Sequence, residues 1–355
     1  MTDTPAPKTP IFDGHNDVLS KLQNVAPARA VEIFASGGDL AIDRPKANAG
    51  GLMGGLFAVW IPSAPGTDFS FDDFLGESYA IPLPPEIAVD DALREAVAQV
   101  ALLMRLEEAG ALKVCRSVGD IDAAHAAGTM AAVLHLEGAE PIDRDLLFLD
   151  VLYGAGLRSL GPLWSRPNRF GHGVPFLFPG GPDTGEGLTA DGHRLVARCN
   201  QLNIMVDLSH LNEAGFWDVA KRSTAPLVAT HSNAFALCNS PRNLTDKQLD
   251  AIAESDGLVG LNFAVAFLRE DGQMRADTPL DPILTHLDYL IERLGEDRVG
   301  FGSDYDGTVV PEAITGADAL PRLTDLMRAH GYDNALMDKL CHRNWMRVLR
   351  KTWHE

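Results

Sequence analysis

Six side chains of the kind that bind cations or move protons stand just past short apolar runs. His15 and Asp17 follow Ile11 and Phe12, and Glu137 follows Ala131, Ala132, Val133 and Leu134. His210 comes after Ile204, Met205 and Val206, His231 after Pro226, Leu227 and Val228, and Asp304 after Val299, Gly300 and Phe301. Parallel strands feeding one edge of a barrel would gather all six at a single mouth. Imidazoles and carboxylates at that density suit one or two divalent cations, which points to metal-dependent hydrolysis.

Each motif is weaker alone. In His15-Asn16-Asp17, residues i and i+2 of an extended backbone face the same side, so both can reach one cation. Such a spacing also arises by chance. Glu137 has two oxygens and could bridge two metals. A surface loop acid would look the same, and the nearby Glu140 reads as one. Asp207-Leu208-Ser209-His210 and Ala229-Thr230-His231-Ser232 each end an apolar run with a histidine. Asp207 reads either as a group orienting a neighbouring ligand or as a buried, satisfied acid. Residues 302–307, Gly-Ser-Asp-Tyr-Asp-Gly, place two acids after the last run. One could hold a water or take its proton, and the other fits a turn. The conjunction of five such strand ends carries the metal reading.

The elements that must position these residues can be read from the pattern. Strands are expected at about 10–13, 52–61, 130–136, 157–163, 204–208, 227–230, 257–263 and 299–301. Most are separated by helical segments, as in βαβ units, and eight of them argue for a closed (β/α)8 TIM barrel of the metal-dependent hydrolase type. Helices are expected at 84–110, 189–203, 245–254, 279–294, 318–331 and 334–353, with Thr245 opening a capping box. The whole chain, 1–355, reads as one catalytic domain. Three loop-like stretches, 36–51, 63–83 and 167–187, exceed a minimal barrel and are expected to shape its mouth.

Composition narrows the partners. A formal net charge of −19 would repel nucleic acid and an anionic membrane surface. The longest apolar stretches are too short to span a bilayer, and residues 1–10 are polar and Pro-rich, unlike a signal peptide. Four cysteines, Cys115, Cys199, Cys238 and Cys341, have no CxxC spacing. Free thiols in a reducing, cytoplasmic compartment are expected. A homodimer is compatible with the sequence.

The chain resembles the membrane (renal) dipeptidase family of binuclear zinc peptidases, as a soluble bacterial-type member. The matching segments are Asp13-Gly14-His15-Asn16-Asp17, His135-Leu136-Glu137-Gly138, Asp207-Leu208-Ser209-His210, Thr230-His231-Ser232-Asn233-Ala234, Ser240-Pro241-Arg242-Asn243-Leu244 and Gly302-Ser303-Asp304-Tyr305-Asp306-Gly307. The resemblance implies two Zn2+, or similar divalent cations. His15 and Asp17 would bind one, His210 and His231 the other, and Glu137 would bridge them. It further implies a metal-bridging hydroxide as nucleophile, Asp304 handling its proton, and Arg242 binding the terminal carboxylate of a dipeptide. The expected reaction is amide hydrolysis of short dipeptides, tolerating a D-residue at the C-terminal position.

The chain departs from the family pattern in places. Trp164 stands where the mammalian members have a histidine that contacts the reacting carbonyl. Asn168, Arg169 or His172 in the next loop could substitute, and Asn168 and His172 join Trp164 and Arg242 as expected substrate contacts. Ala264 replaces a tyrosine, which would open the pocket. Cys238 matches a disulfide-forming position whose partner position is not cysteine here. These departures keep a second reading open, another metal-dependent amidohydrolase acting on N-acyl amino acids or lactams. A third reading is a binding protein on a decayed barrel.

Overall fold

All eight expected strand segments form strands, and they lie side by side in chain order. The computed structural model describes residues 9–67 and 69–355, so most of the Pro-rich start lies outside the described residues. The barrel strands are β1 (Ile11–Asn16), β2 (Leu52–Trp60), β3 (Ala131–Glu137), β4 (Leu157–Gly161), β5 (Met205–Val206), β6 (Val228–Ala229), β7 (Leu258–Asn262) and β8 (Val299–Gly302). Neighbours pair in parallel, and β8 returns to β1. The seam between β5 and β6 is spanned by a parallel bridge from Asp207 to Val228, with Leu208 N–H on Val228 O at 2.8 Å. Helices fill the crossovers, which gives the TIM-barrel architecture.

Alternation along the strands separates two cores. On β3, Ala131 and Val133 pack with Phe12, Leu56, Met205, Val228 and Leu258 from the other strands. The intervening Ala132, Leu134 and Leu136 belong to the larger cluster shared with the helices. Trp345, from the C-terminal helix Asn344–Trp353, joins the inner cluster and donates its indole N–H to Phe301 O at 2.9 Å. Gly14 makes room for it, since a Cβ there would lie 2.2 Å from Trp345 Cζ2.

The expected helices are present with two adjustments. The expected helix 84–110 forms as Val89–Glu108, with Ala88 in extended backbone at its N-cap. The segment 334–353 is broken into Asn334–Asp338 and Asn344–Trp353 by a π-type turn at Lys339–Arg343. The capping box forms as expected, with Gln248 Oε1 accepting the Thr245 N–H at 2.8 Å. Among the described residues, no helix is long and apolar enough to cross a membrane.

The long loops are more ordered than their composition suggests. Residues 36–51 contain the helix Arg44–Gly50, capped by Asp43, whose carboxylate accepts the Lys46 N–H at 2.8 Å. The segments 63–83 and 167–187 are stitched together by antiparallel strands Tyr79–Ile81 and Phe176–Phe178. Their aromatic residues wall the barrel mouth.

Candidate metal centre

The strand ends deliver the six residues to one buried cluster. Glu137 is the last residue of β3 and turns its two oxygens to different partners. Oε2 lies 3.6 Å from His15 Nε2, which is 3.3 Å from Asp17 Oδ2. Oε1 lies 3.0 Å from His210 Nε2 and 3.4 Å from His231 Nε2. Asp304 joins the His15 side, where ligand-type atoms of His15, Asp17 and Asp304 all lie within 4.8 Å of one another. His210 and Asp304 adopt left-handed backbone, φ 66° and 60°. That conformation costs a non-glycine residue on the order of 1 kcal/mol and is tolerated where it aims a functional group.

The cluster is dense in titratable groups, and burial shifts most of them. Burial pushes the Glu137 carboxyl well above its ordinary range, with His15 opposing, and also raises Asp304. Burial works against a charged His15, but Glu137, Asp17 and Asp304 together carry its pKa up to about 10. Burial keeps His210 and His231 neutral, helped by positive charge on Arg242 and His15.

These donors fit divalent cations. Neither ring nitrogen of His15 has a hydrogen-bond partner among the described residues. The Nε2 atoms of His210 and His231 face each other at 3.1 Å. Their Nδ1 atoms rest on hydroxyls, Ser165 Oγ at 2.9 Å and Thr230 Oγ1 at 2.7 Å. Buried carboxylates and bare imidazole nitrogens converging in this way are costly without a cation between them.

Residues 6–354 match the model of the membrane dipeptidase family, peptidase family M19. The chain belongs to this family. It is a peptide-bond hydrolase of the metallo-dipeptidase type. A metallo peptidase from Rhodobacter sphaeroides, solved with a phosphinate mimic of the dipeptide L-Ala-D-Ala, is 52% identical with a TM-score of 0.95, over 98% of this chain and 100% of that one. A second solved structure, the dipeptidase AC of family M19, is 51% identical with a TM-score of 0.95 and the same coverage. The Klebsiella pneumoniae "Uncharacterized protein in pqqA 5'region" is 51% identical over 72% of this chain and 96% of its own length.

Above the cluster, this M19 member has a cavity of about 320 Å³. Asp17, Glu137, His210 and Asp304 line it on the polar side, and Trp60, Phe69, Phe74, Trp164 and Phe176 on the apolar side. Trp164 sits beside His210, ring centroids 6.0 Å apart, and edge-on to Trp60 at 5.1 Å. Arg242 is buried beside the cluster, its guanidinium 5.3 Å from the ring of Phe267, which lines the cavity. Its Nη2 donates to His231 O at 3.1 Å and its Nη1 to Ser232 Oγ at 3.4 Å, while Nε has no partner among the described residues.

Other expected contacts do not reach the cavity. Asn168 spends its amide within its own loop, donating to Pro162 O at 2.9 Å and accepting the Phe170 N–H at 2.8 Å. His172 is exposed and off the cavity wall, and Arg169 pairs with Asp191 at 3.5 Å. None of the three replaces the absent histidine in this structure. Ala264 does not line the cavity; it is buried in the apolar cluster that includes Phe74, Val265 and Phe267. Glu140 is no surface acid: it is buried and paired with Arg166 at 3.3 Å. Arg166 in turn lies against the Trp164 ring at 4.7 Å. Asp306 is the turn residue, accepting the Ala41 and Ile42 N–H groups at 2.8 and 3.2 Å.

Sequence reasoning missed Asn262, whose side chain donates to Asp304 Oδ2 at 2.9 Å. It ends β7, so the strand-end rule that found the acids and histidines reaches it too. Much of the aromatic wall comes from 63–83 and 167–187, two of the loops expected to shape the mouth.

Proposed function

We propose that this M19 member is a binuclear zinc dipeptidase that hydrolyses short dipeptides and tolerates a D-residue at the C-terminal position. The observation that carries the reading is the division of Glu137, one oxygen toward His15 and Asp17 and the other toward His210 and His231. We assign His15 and Asp17 to one cation, His210 and His231 to the other, and Glu137 to both. When bound, two divalent cations supply an acidified water and polarise the scissile carbonyl.

The protein's own groups do the rest. Asp304, steadied by Asn262, takes the proton of the attacking water and returns it to the leaving amine. Arg242 holds the free carboxylate of the dipeptide with the donors its backbone and Ser232 contacts leave over. The aromatic wall shields the reacting centre from bulk water. Tolerance of a D-residue is supported by the L-Ala-D-Ala mimic bound to the Rhodobacter relative. Four buried, free cysteines support a reducing, cytoplasmic setting.

The test is metal analysis joined to a substrate panel. Protein purified without chelators should hold about two zinc equivalents per chain and cleave L,L- and L,D-dipeptides. Faster turnover of N-acyl amino acids or lactams than of dipeptides would move the assignment to another amidohydrolase. Trp164 in place of the expected histidine makes that comparison necessary.

A further inference from the structure

We propose that Asp207 and Thr230 form a relay that fixes the tautomer of His231, and so presets its Nε2 to receive a cation. The proposal rests on the reading of the cluster as a divalent-cation site. Both relay residues are buried and absent from the cavity wall, so they are positioning residues.

The hydrogen bonds determine the direction of the relay. Asp207 Oδ1 accepts two backbone N–H groups, from Thr230 at 2.8 Å and Ser209 at 3.0 Å. Oδ2 accepts the Thr230 hydroxyl at 2.6 Å. A threonine has one hydroxyl hydrogen, and here it goes to Asp207. The 2.7 Å contact between Thr230 Oγ1 and His231 Nδ1 therefore takes its hydrogen from the imidazole. A neutral imidazole protonated on Nδ1 carries a bare lone pair on Nε2. That Nε2 is the atom facing Glu137 Oε1 and His210 Nε2. His210 has no such lock. Its Nδ1 meets Ser165 Oγ, which makes no second hydrogen bond among the described residues and is free to donate or accept.

The acceptor character of Asp207 Oδ2, more than the shape of the side chain, sets the outcome. In Asp207→Asn the two backbone N–H groups keep the amide oxygen at the Oδ1 place. The NH2 group then faces Thr230, whose hydroxyl must accept from it and donate to His231 Nδ1. The imidazole proton moves to Nε2, the atom needed as ligand.

Two measurements on the full-length chain test this. Side-chain 15N NMR of the chelator-treated protein reads the tautomer, and zinc titration against a competing chelator reads affinity. The wild type should show His231 protonated on Nδ1. Asp207→Asn should show it protonated on Nε2, with one zinc bound about 10–100-fold more weakly. Thr230→Val should also lose affinity, and Thr230→Ser should restore it, which decides the matter if Asp207→Asn does not fold. A wild-type His231 protonated on Nε2 would overturn the relay, as would unchanged zinc affinity in Thr230→Val. A wild-type chain that binds no zinc would overturn the metal reading instead, and the NMR tautomer would still judge the relay.

Discussion

The side-chain amide of Asn262 donates to Oδ2 of Asp304 at 2.9 Å. One oxygen of the acid is thereby held at the end of β7. The other, Oδ1, shares the space beside Gly307 with Asp17 Oδ2. In Asp304→Asn the amide oxygen would stay on the Asn262 donor, leaving an NH2 group where a proton acceptor is needed. We expect kcat/KM to fall by about 100- to 10,000-fold, with metal content unchanged. Steady-state kinetics paired with metal analysis checks this, and loss of zinc from the variant would make Asp304 a ligand instead.

Gly307 offers a way to disturb the site without removing any proposed ligand. A Cβ there would lie 2.2 Å from Asp17 Oδ2 and 3.0 Å from Asp304 Oδ1. Both are ends of side chains, so the fold can absorb a methyl group by displacing them. Gly307→Ala should keep its melting temperature within a few degrees yet bind zinc about tenfold more weakly or worse. Wild-type affinity and turnover would show that Asp17 is not held where the proposed ligand set needs it.

Glu137→Gln tests the shared ligand. The amide puts a donor at one of the two places where an acceptor faces imidazole nitrogens. Zinc content should drop below one equivalent per chain, and activity should vanish. Two retained equivalents would mean that the cations do not depend on this carboxylate.

Much of the architecture was legible because its signals are local. Each barrel strand is a short apolar run, and each of the six cluster residues sits at or just after a strand end, so chain order and closure place them together. What was not legible depends on distant partners. Tyr79–Ile81 and Phe176–Phe178 are three residues long, and nothing near either announces the other. Pro45 and Gly51 lie in the loop-like stretch 36–51 yet punctuate the helix Arg44–Gly50, one at its start and the other as a left-handed cap with φ 80°. Glu140 looks like a surface charge until folding buries it beside Arg166, which itself lies over the tryptophan rings. Asn168 and His172 lay in the right loop, but backbone hydrogen bonding claims the first and exposure removes the second.

Arg242 carries the remaining prediction, on substrate choice. Its guanidinium is buried over the Phe267 ring at 5.3 Å, with Nε unpartnered among the described residues. Burial lowers its pKa, and Asp304 and Glu137 counter that effect. A hydrogen bond to a charged group contributes about 1.5–3 kcal/mol, so losing the contact should cost about 10- to 150-fold in kcat/KM on free-acid dipeptides. Dipeptide amides, lacking the carboxylate, should be poor substrates of the wild type and change little in Arg242→Ala. The ratio of acid to amide turnover should therefore shrink in the variant. Because Arg242 also donates to His231 O, zinc content must be measured alongside, so that a loss of metal is not mistaken for a loss of recognition. Equal wild-type rates on acids and amides would remove the carboxylate role from Arg242.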